Sequence, residues 1–288
     1  MRSPQYSVDS LLHMTDELPV MSEVVRRALT LIRDENSSMA QLASVLSLDQ
    51  GLTSQVLRWA NSASYGLYNP VSTVQQAVVY LGHNAIQSLV LAASVSGYLA
   101  RPAPGYALEL GSLWKHSIGV AAGARLAAQR FGAKLAEEAY HAGLLADMGK
   151  LAMELVLRDV DTTTSDWQGR SFADLEVAHF GIDHALVGAE MARRWYLPDR
   201  LVEAIAYHHR PGVGRQSALL ASAVHVADCA VMMLGVGLGR DGLQYSLDPQ
   251  ACEQLSWTEK DFLQLLDRVG PLIAEAENAM GMMTWKKA

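Results

Sequence analysis

The sequence predicts an all-α protein, on three observations. No run of alternating apolar and polar residues is long enough to build a sheet. Half of the residues are apolar but only 7% are aromatic, and Ala, Leu and Val lead, a composition that favours helices over strands. Hydroxyl and carboxylate residues stand repeatedly just ahead of apolar runs, where the free amides of a helix N-terminus need acceptors.

Residues 1–17 read as a short, partly helical lead-in. A helix follows from about Pro19 to Arg33, with Val20, Val24, Leu31 and Ile32 on its apolar side. Ser38-Met39-Ala40-Gln41 has capping-box form and opens a second helix through Leu46. Asp49 caps a third that carries Leu52, Val56, Leu57 and Trp59. The turn NSASYGLYNP, residues 61–70, leads to a second box at Ser72-Thr73-Val74-Gln75 and a fourth helix to Leu81. Gly82 breaks that helix, and a fifth, from Asn84 to about Leu99, is almost wholly apolar or small.

Arg101-Pro102-Ala103-Pro104-Gly105 reads as a linker. It divides the chain into a helical lobe over 1–100, a second over 106–240 and a tail over 241–288. In the second lobe helices are predicted at about 110–131, 134–158, 171–180, 183–195, 198–209 and 216–236, with Pro198 at a first helical position. A Gly-rich turn at 235–242 precedes the tail, in which Ser256-Trp257-Thr258-Glu259 caps a last helix to about Asn278.

Composition excludes several function classes. With 23 basic and 30 acidic residues the net charge is −7, which disfavours nucleic acid and anionic membranes as partners. Cys229 and Cys252 have no metal-type spacing and suit reduced thiols in the cytoplasm. The N-terminus lacks the basic and apolar regions of a secretory signal. Two long apolar stretches, 59–100 and 216–239, are interrupted by polar residues, Asp228 and His225 among them, and read as buried helices rather than membrane spans. LASVLSLDQGLTSQVLRWAN imitates a helix-turn-helix, but Arg58 is the only basic residue between Asp49 and Ser62. Phosphate contacts, the main source of affinity in such modules, are therefore missing.

The stretch HAGLLADMGK, residues 141–150, carries the chemistry. Asp147 lies in an apolar helical run, where a carboxylate is costly unless something pairs with it. His116 stands upstream, and His184, His208, His209 and Asp228 downstream. The plain reading of such a set is a buried, hydrogen-bonded network that fixes helix packing. Lone histidines such as His13, His83 and His179 carry no functional weight. In the 61–70 turn, Tyr65 and Tyr68 are candidates for partner binding, since loops on a rigid scaffold often carry recognition. The alternative is that Tyr65 packs the turn against the fifth helix.

The order of these residues resembles the metal site of the HD phosphohydrolases, with Ala146 in place of the histidine of the signature doublet. ELPVMSEVVRRALTLI, LASVLSLDQGLTSQVLRWANSASYG and PVSTVQQAVVYLG together resemble the HDOD domain, an HD-related output domain of bacterial signalling proteins, over roughly residues 17–212. The resemblance implies an N-terminal helical bundle packed on a degenerate HD-like bundle. It also implies a regulatory role, often beside receiver or cyclic-di-GMP-related domains. Residue by residue, His116, Asp147, His184, His208 or His209, and Asp228 fall on metal-ligand positions, and Lys150 on the basic residue that follows the doublet. Ala146 can ligate nothing. His141 lies six positions from Asp147, about 600° around a helix, so it cannot stand in. His225, three residues before Asp228 on the same helical face, is the better substitute.

The expectation is therefore a non-catalytic cytoplasmic regulator that acts through contacts with signalling proteins, with no cofactor. The residues leave its oligomeric state open, a homodimer included. The alternative is a phosphohydrolase acting on a nucleotide or cyclic dinucleotide with one or two divalent metal ions.

Overall fold

The structure, a computed structural model, describes residues 7–13, 21–34, 37–61, 67–158, 170–214, 217–239, 243–244 and 246–281. It is all-α. Among the described residues there are helices and short 3-10 turns but no strand, only an isolated bridge between Ala103 and Leu108. The chain forms two compact units. One comprises Pro19–Gly97 with Leu272–Ala288, the other Met1–Leu18 with Tyr98–Pro271.

In the first unit, α2 (Glu23–Arg33) starts at Ser22, whose hydroxyl accepts from the Val25 amide. Before it in the chain stands the short α1 (Val8–His13), which belongs to the other unit. The capping box at Ser38 and Gln41 is complete and starts α3 (Met39–Leu46), and Asp49 caps α4 (Gln50–Ala60). Leu42, Leu46, Leu52, Val56 and Trp59 are buried, so the apparent helix-turn-helix spends its second helix on the core. Asn61 closes the following turn: its side-chain amide donates to the Val71 carbonyl and its oxygen accepts from the Val71 amide.

The next cap lies one residue later than the Ser72 box predicts. Thr73 caps α5 (Val74–Leu99) by accepting from the Gln76 amide, and the Gln76 side chain turns back to the Ser72 amide. That register buries Val74, Ala77 and Val78. Gly82, at φ 79° and ψ 170°, interrupts α5 where the break is expected.

The second unit contains α1, α6 (Ser112–Ala128), α7 (Ala133–Leu145), α8 (Lys150–Leu157), α9 (Phe172–Phe180), α10 (His184–Arg194), α11 (Asp199–Tyr207), α12 (Ala218–Met233), α13 (Pro249–Leu255) and the start of α14 (Glu259–Gly281). The interior helix is α12, buried continuously from Leu220 to Met232, which is why its sequence is apolar on every side. It packs on α6, which packs in turn on α7. Small residues permit this: a Cβ on Gly123 would lie 2.9 Å from the Ala227 Cβ, and one on Gly143 2.9 Å from the Val120 carbonyl.

Three sequence expectations need correction here. The helix predicted over 134–158 is two helices, separated by a turn at residues 146–149. Residues 101–105 are no solvated tether. The Gly105 amide donates to Glu154 Oε2 at 2.9 Å, and Ala103, Gly105 and Tyr106 are buried. In the tail, Asp248 and Pro249 open the unpredicted α13, and Ser256 ends it at φ 49°. Thr258, whose amide and hydroxyl donate to Asp261, stands before α14 in place of Ser256. Among the described residues no helix is long and apolar enough to cross a membrane.

Candidate functional site

The turn between α7 and α8 places Asp147 in the interior. It can do so because Gly149 lies flat against the start of α10, where a Cβ would fall 1.9 Å from the His184 carbonyl oxygen. The φ of Gly149 is an ordinary −64°, so glycine is required by proximity and not by backbone conformation. The first turn of α10 is thereby brought to Asp147, and Lys150, the first residue of α8, returns its ammonium to Asp147 Oδ2 at 2.9 Å.

Around Asp147 the histidines converge from separate helices. His116 of α6 places Nε2 at 2.9 Å from Asp228 Oδ1 and 3.2 Å from Asp147 Oδ2. Its Nδ1 donates to the Val236 carbonyl at 3.1 Å. Both ring nitrogens thus face acceptors, which calls for an imidazolium. Burial alone would lower its pKa, but Asp147 and Asp228 raise it to about 10. The Gly-rich segment after α12 does more than separate off a tail: Gly237, at φ 69°, passes so close that a Cβ would sit 2.5 Å from the His116 Cβ.

His184 is the second imidazolium. Its Nδ1 donates to Glu176 Oε2 at 2.7 Å, and its Nε2 lies 3.2 Å from Asp147 Oδ1 and 2.9 Å from His209 Nε2. Burial opposes this charge, and Glu176 with Asp147 overrides it and lifts the pKa to about 10. Asp147 responds in the opposite sense. Burial would raise its pKa, yet Lys150, His116 and His184 hold it well below the usual carboxylate range, and His116 likewise lowers Asp228.

His208 and His209 are the neutral pair. Burial lowers both, and the neighbouring His184 cation pushes both further down. His208 Nδ1 donates to the Ile205 carbonyl at 2.7 Å, which fixes the tautomer and leaves Nε2 with a bare lone pair. That nitrogen is buried without a hydrogen-bond partner, 3.9 Å from Asp147 Oδ1, which takes only the 3.2 Å contact from His184 Nε2.

The sequence-derived set is therefore brought together: His116, Asp147, His184, His208, His209, Asp228 and Lys150. His225 is not part of it. Its Nδ1 bonds the His208 carbonyl at 2.9 Å and its Nε2 accepts from the Asp248 amide at 2.9 Å. Both ring nitrogens are spent, so His225 braces the chain behind His208 and does not replace a ligand at Ala146. Tyr65 lies outside the described residues, and Tyr68 is 96% exposed.

Two residues escaped the sequence reading. Glu176 is fully buried on α9 and accepts from the His184 amide and ring and from the Tyr106 hydroxyl. A carboxylate inside the apolar run FADLEVAHF was the available signal. Tyr106 carried none, because it lies just past the stretch read as a linker and before the first helix predicted in the second lobe.

Two donor groups share Asp147. One is Asp147, His184, His208 and His209, the other His116, Asp147 and Asp228, and within each group the ligand atoms lie within 4.8 Å of one another. Imidazole nitrogen with carboxylate oxygen is the donor chemistry of a divalent transition metal, and the facing lone pairs of His208 and Asp147 fit a cation between them. Fold and site together define an all-helical protein built around an HD-type histidine–aspartate cluster.

Comparison with known proteins gives the family and supports the fold. The HDOD domain model matches residues 18–211, and the chain belongs to the HDOD domain family. Its fold is similar to that of an HDOD domain protein of unknown function from Geobacter sulfurreducens, with a TM-score of 0.68 and 26% identity, covering 96% of this chain and 94% of that one. It is also similar in fold to a Shewanella amazonensis protein provisionally named a phosphohydrolase, with a TM-score of 0.71 and 24% identity over 96% of this chain and 100% of that one. A Marinobacter aquaeolei protein provisionally named for signal transduction gives a TM-score of 0.67 and 24% identity over 98% of this chain and 61% of that one. A Treponema pallidum protein is 22% identical over 230 residues, and the chain spans 44% of the length of that curated relative.

Proposed function

We propose that the chain is a non-catalytic, cytoplasmic signal-transduction module that acts through protein–protein contacts, in a two-component or cyclic-di-GMP pathway. The observation that carries this reading is the residue at 146. A buried alanine stands where the HD doublet needs an imidazole, so the cluster lacks one donor. The remaining charges are closed internally: carboxylates of Asp147, Asp228 and Glu176 face the cations His116, His184 and Lys150. His116, Asp147, His184, His208 and Asp228 are at most 4% exposed, which suits a packing element better than a site that admits a phosphoester. Tyr68, on the surface, is the partner-facing candidate, with Tyr65.

A second reading, a metal-dependent phosphohydrolase, is favoured by the bare His208 Nε2 that faces Asp147 Oδ1. The residues that would hold metal are the two groups sharing Asp147, and a metal there would supply Lewis-acid activation of water. Metal analysis of protein purified without chelator, combined with assays on nucleotides and cyclic dinucleotides, separates the two. Absence of turnover supports the regulatory reading. Stoichiometric transition metal with turnover overturns it.

A further inference from the structure

Away from the histidine cluster, the C-terminal end of α6 and the first turns of α14 line an open cavity of about 340 Å³. Its lining includes the apolar Leu126 from α6 and Leu265 from α14. It also carries two cations and an indole, Arg130, Arg268 and Trp257. On α14 the lining residues Asp261, Leu265 and Arg268 are spaced by four and three, so they share one helical face.

The guanidinium of Arg130 lies over aromatic faces, 5.9 Å from the Trp257 ring centre and 5.3 Å from that of Phe131. The Asp261 carboxylate offsets only part of this charge: its hydrogen bonds to Thr258 and the nearby Arg130 both lower its pKa, but one carboxylate faces two arginines. Its Oδ2 accepts from the Thr258 amide at 2.7 Å and the Thr258 hydroxyl at 2.6 Å, in the cap that precedes α14. In a chain of net charge −7, this lining carries two arginines and one carboxylate, a local excess of positive charge.

We propose that this cavity binds a nucleotide, with the base stacked against the Trp257–Arg130 pair and the phosphate held by Arg130 and Arg268. The chemistry selects the class. Guanidinium forks match phosphate oxygens, and the aromatic and apolar surfaces suit a heterocycle. A bare phosphate would leave the indole and the leucines without a role, and a nucleic acid strand would need more cations than two. The volume is at the lower end for a small-molecule site and holds a mononucleotide. The site would give the regulatory module a small-molecule input, and it stands whether or not the histidine cluster turns over a substrate.

The test is calorimetric titration of the full chain with GMP, AMP and inorganic phosphate. The expected result is saturable binding of at least one of the two nucleotides in the micromolar to millimolar range, well above that of phosphate. Arg130→Ala and Arg268→Ala each weaken it by about tenfold or more. Arg268 is exposed, so its variant keeps the wild-type melting temperature and the loss reads out binding and not folding. The proposal is overturned if neither nucleotide binds at millimolar concentration, or if phosphate binds as well as GMP and AMP. It also fails if binding survives both arginine variants.

Discussion

His184 bridges two carboxylates, donating Nδ1 to Glu176 at 2.7 Å and facing Asp147 with Nε2 at 3.2 Å. Both carboxylates and the ring are buried, and the Glu176 oxygen that takes Nδ1 also takes the His184 amide. Glu176 therefore sets the ring plane and, through it, the geometry around Asp147. Removing it leaves a buried imidazolium and a buried Tyr106 hydroxyl without their acceptor. Glu176→Ala should cost about 3–5 kcal/mol, the usual range for breaking a buried ion pair from one side. Chemical denaturation measures it. A loss below about 1 kcal/mol, the level of an exposed pair, would refute the bridge.

Gly149 tests how the Asp147 turn meets α10. A Cβ there would lie 1.9 Å from the His184 carbonyl oxygen and 2.6 Å from the Gly188 amide nitrogen, both backbone atoms that cannot swing away. Gly149→Ala should destabilise by about 2–4 kcal/mol through overpacking, although alanine is the better helix former. A melting temperature equal to wild type would show that the turn and α10 are not in contact in solution.

The cluster makes stability depend on pH in a defined way for the chelator-treated protein. His116 and His184 have folded pKa values raised to about 10 from 6.5, so their contribution is complete below pH 6.5 and is lost as pH rises toward 10. His208 and His209 are shifted down, so they favour the fold above 6.5 and lose that contribution as pH falls below it. Asp147 and Asp228 are also shifted down and stabilise above their unfolded value of 3.8, losing this as pH falls through their folded values. Thermal melting should therefore peak close to pH 6.5 and decline on both sides. His116→Gln should flatten the alkaline side, since one of its two titrating groups is gone. A melting temperature that climbs steadily from pH 6.5 to 9 would contradict the assignment.

Restoring the doublet tests the role of residue 146. Ala146→His adds a donor beside Asp147 and should raise affinity for manganese, iron or zinc, seen as a metal-dependent rise in melting temperature. Metal at a hundredfold excess over Kd contributes about 2.7 kcal/mol. The wild type should show a smaller rise. If micromolar metal already lifts the wild type as much, the alanine has not weakened the site. Asp147→Ala should destabilise the fold with or without metal, because His116, His184 and Lys150 lose their common counter-charge.

Tyr68 provides the contrasting case. At 96% exposure it contributes little to packing, so Tyr68→Ala should change stability by no more than about 0.5 kcal/mol while weakening capture of a signalling partner. A large loss of stability would mean that the turn is structural and not a recognition loop.

By itself the sequence determined the helical class, the capped starts of α3 and α4, the break at Gly82, and the residue types that form the cluster. These follow from short-range physics. Caps and glycine breaks act within a few residues, and a polar residue in an apolar run declares that it must be paired wherever its partners lie. Tertiary structure alone decided the pairings. His225 and Asp228 lie three residues apart, yet His225 faces the His208 carbonyl and the Asp248 amide while Asp228 faces His116. Helix spacing could not choose between these faces, because α12 is buried on all sides and has no polar side to orient it. Glu176 and Tyr106 joined the site through a contact seventy residues apart in the chain. The break at 146–149 answered the close approach of Gly149 to α10. A local pattern records which groups need partners, and only packing settles which partners they receive.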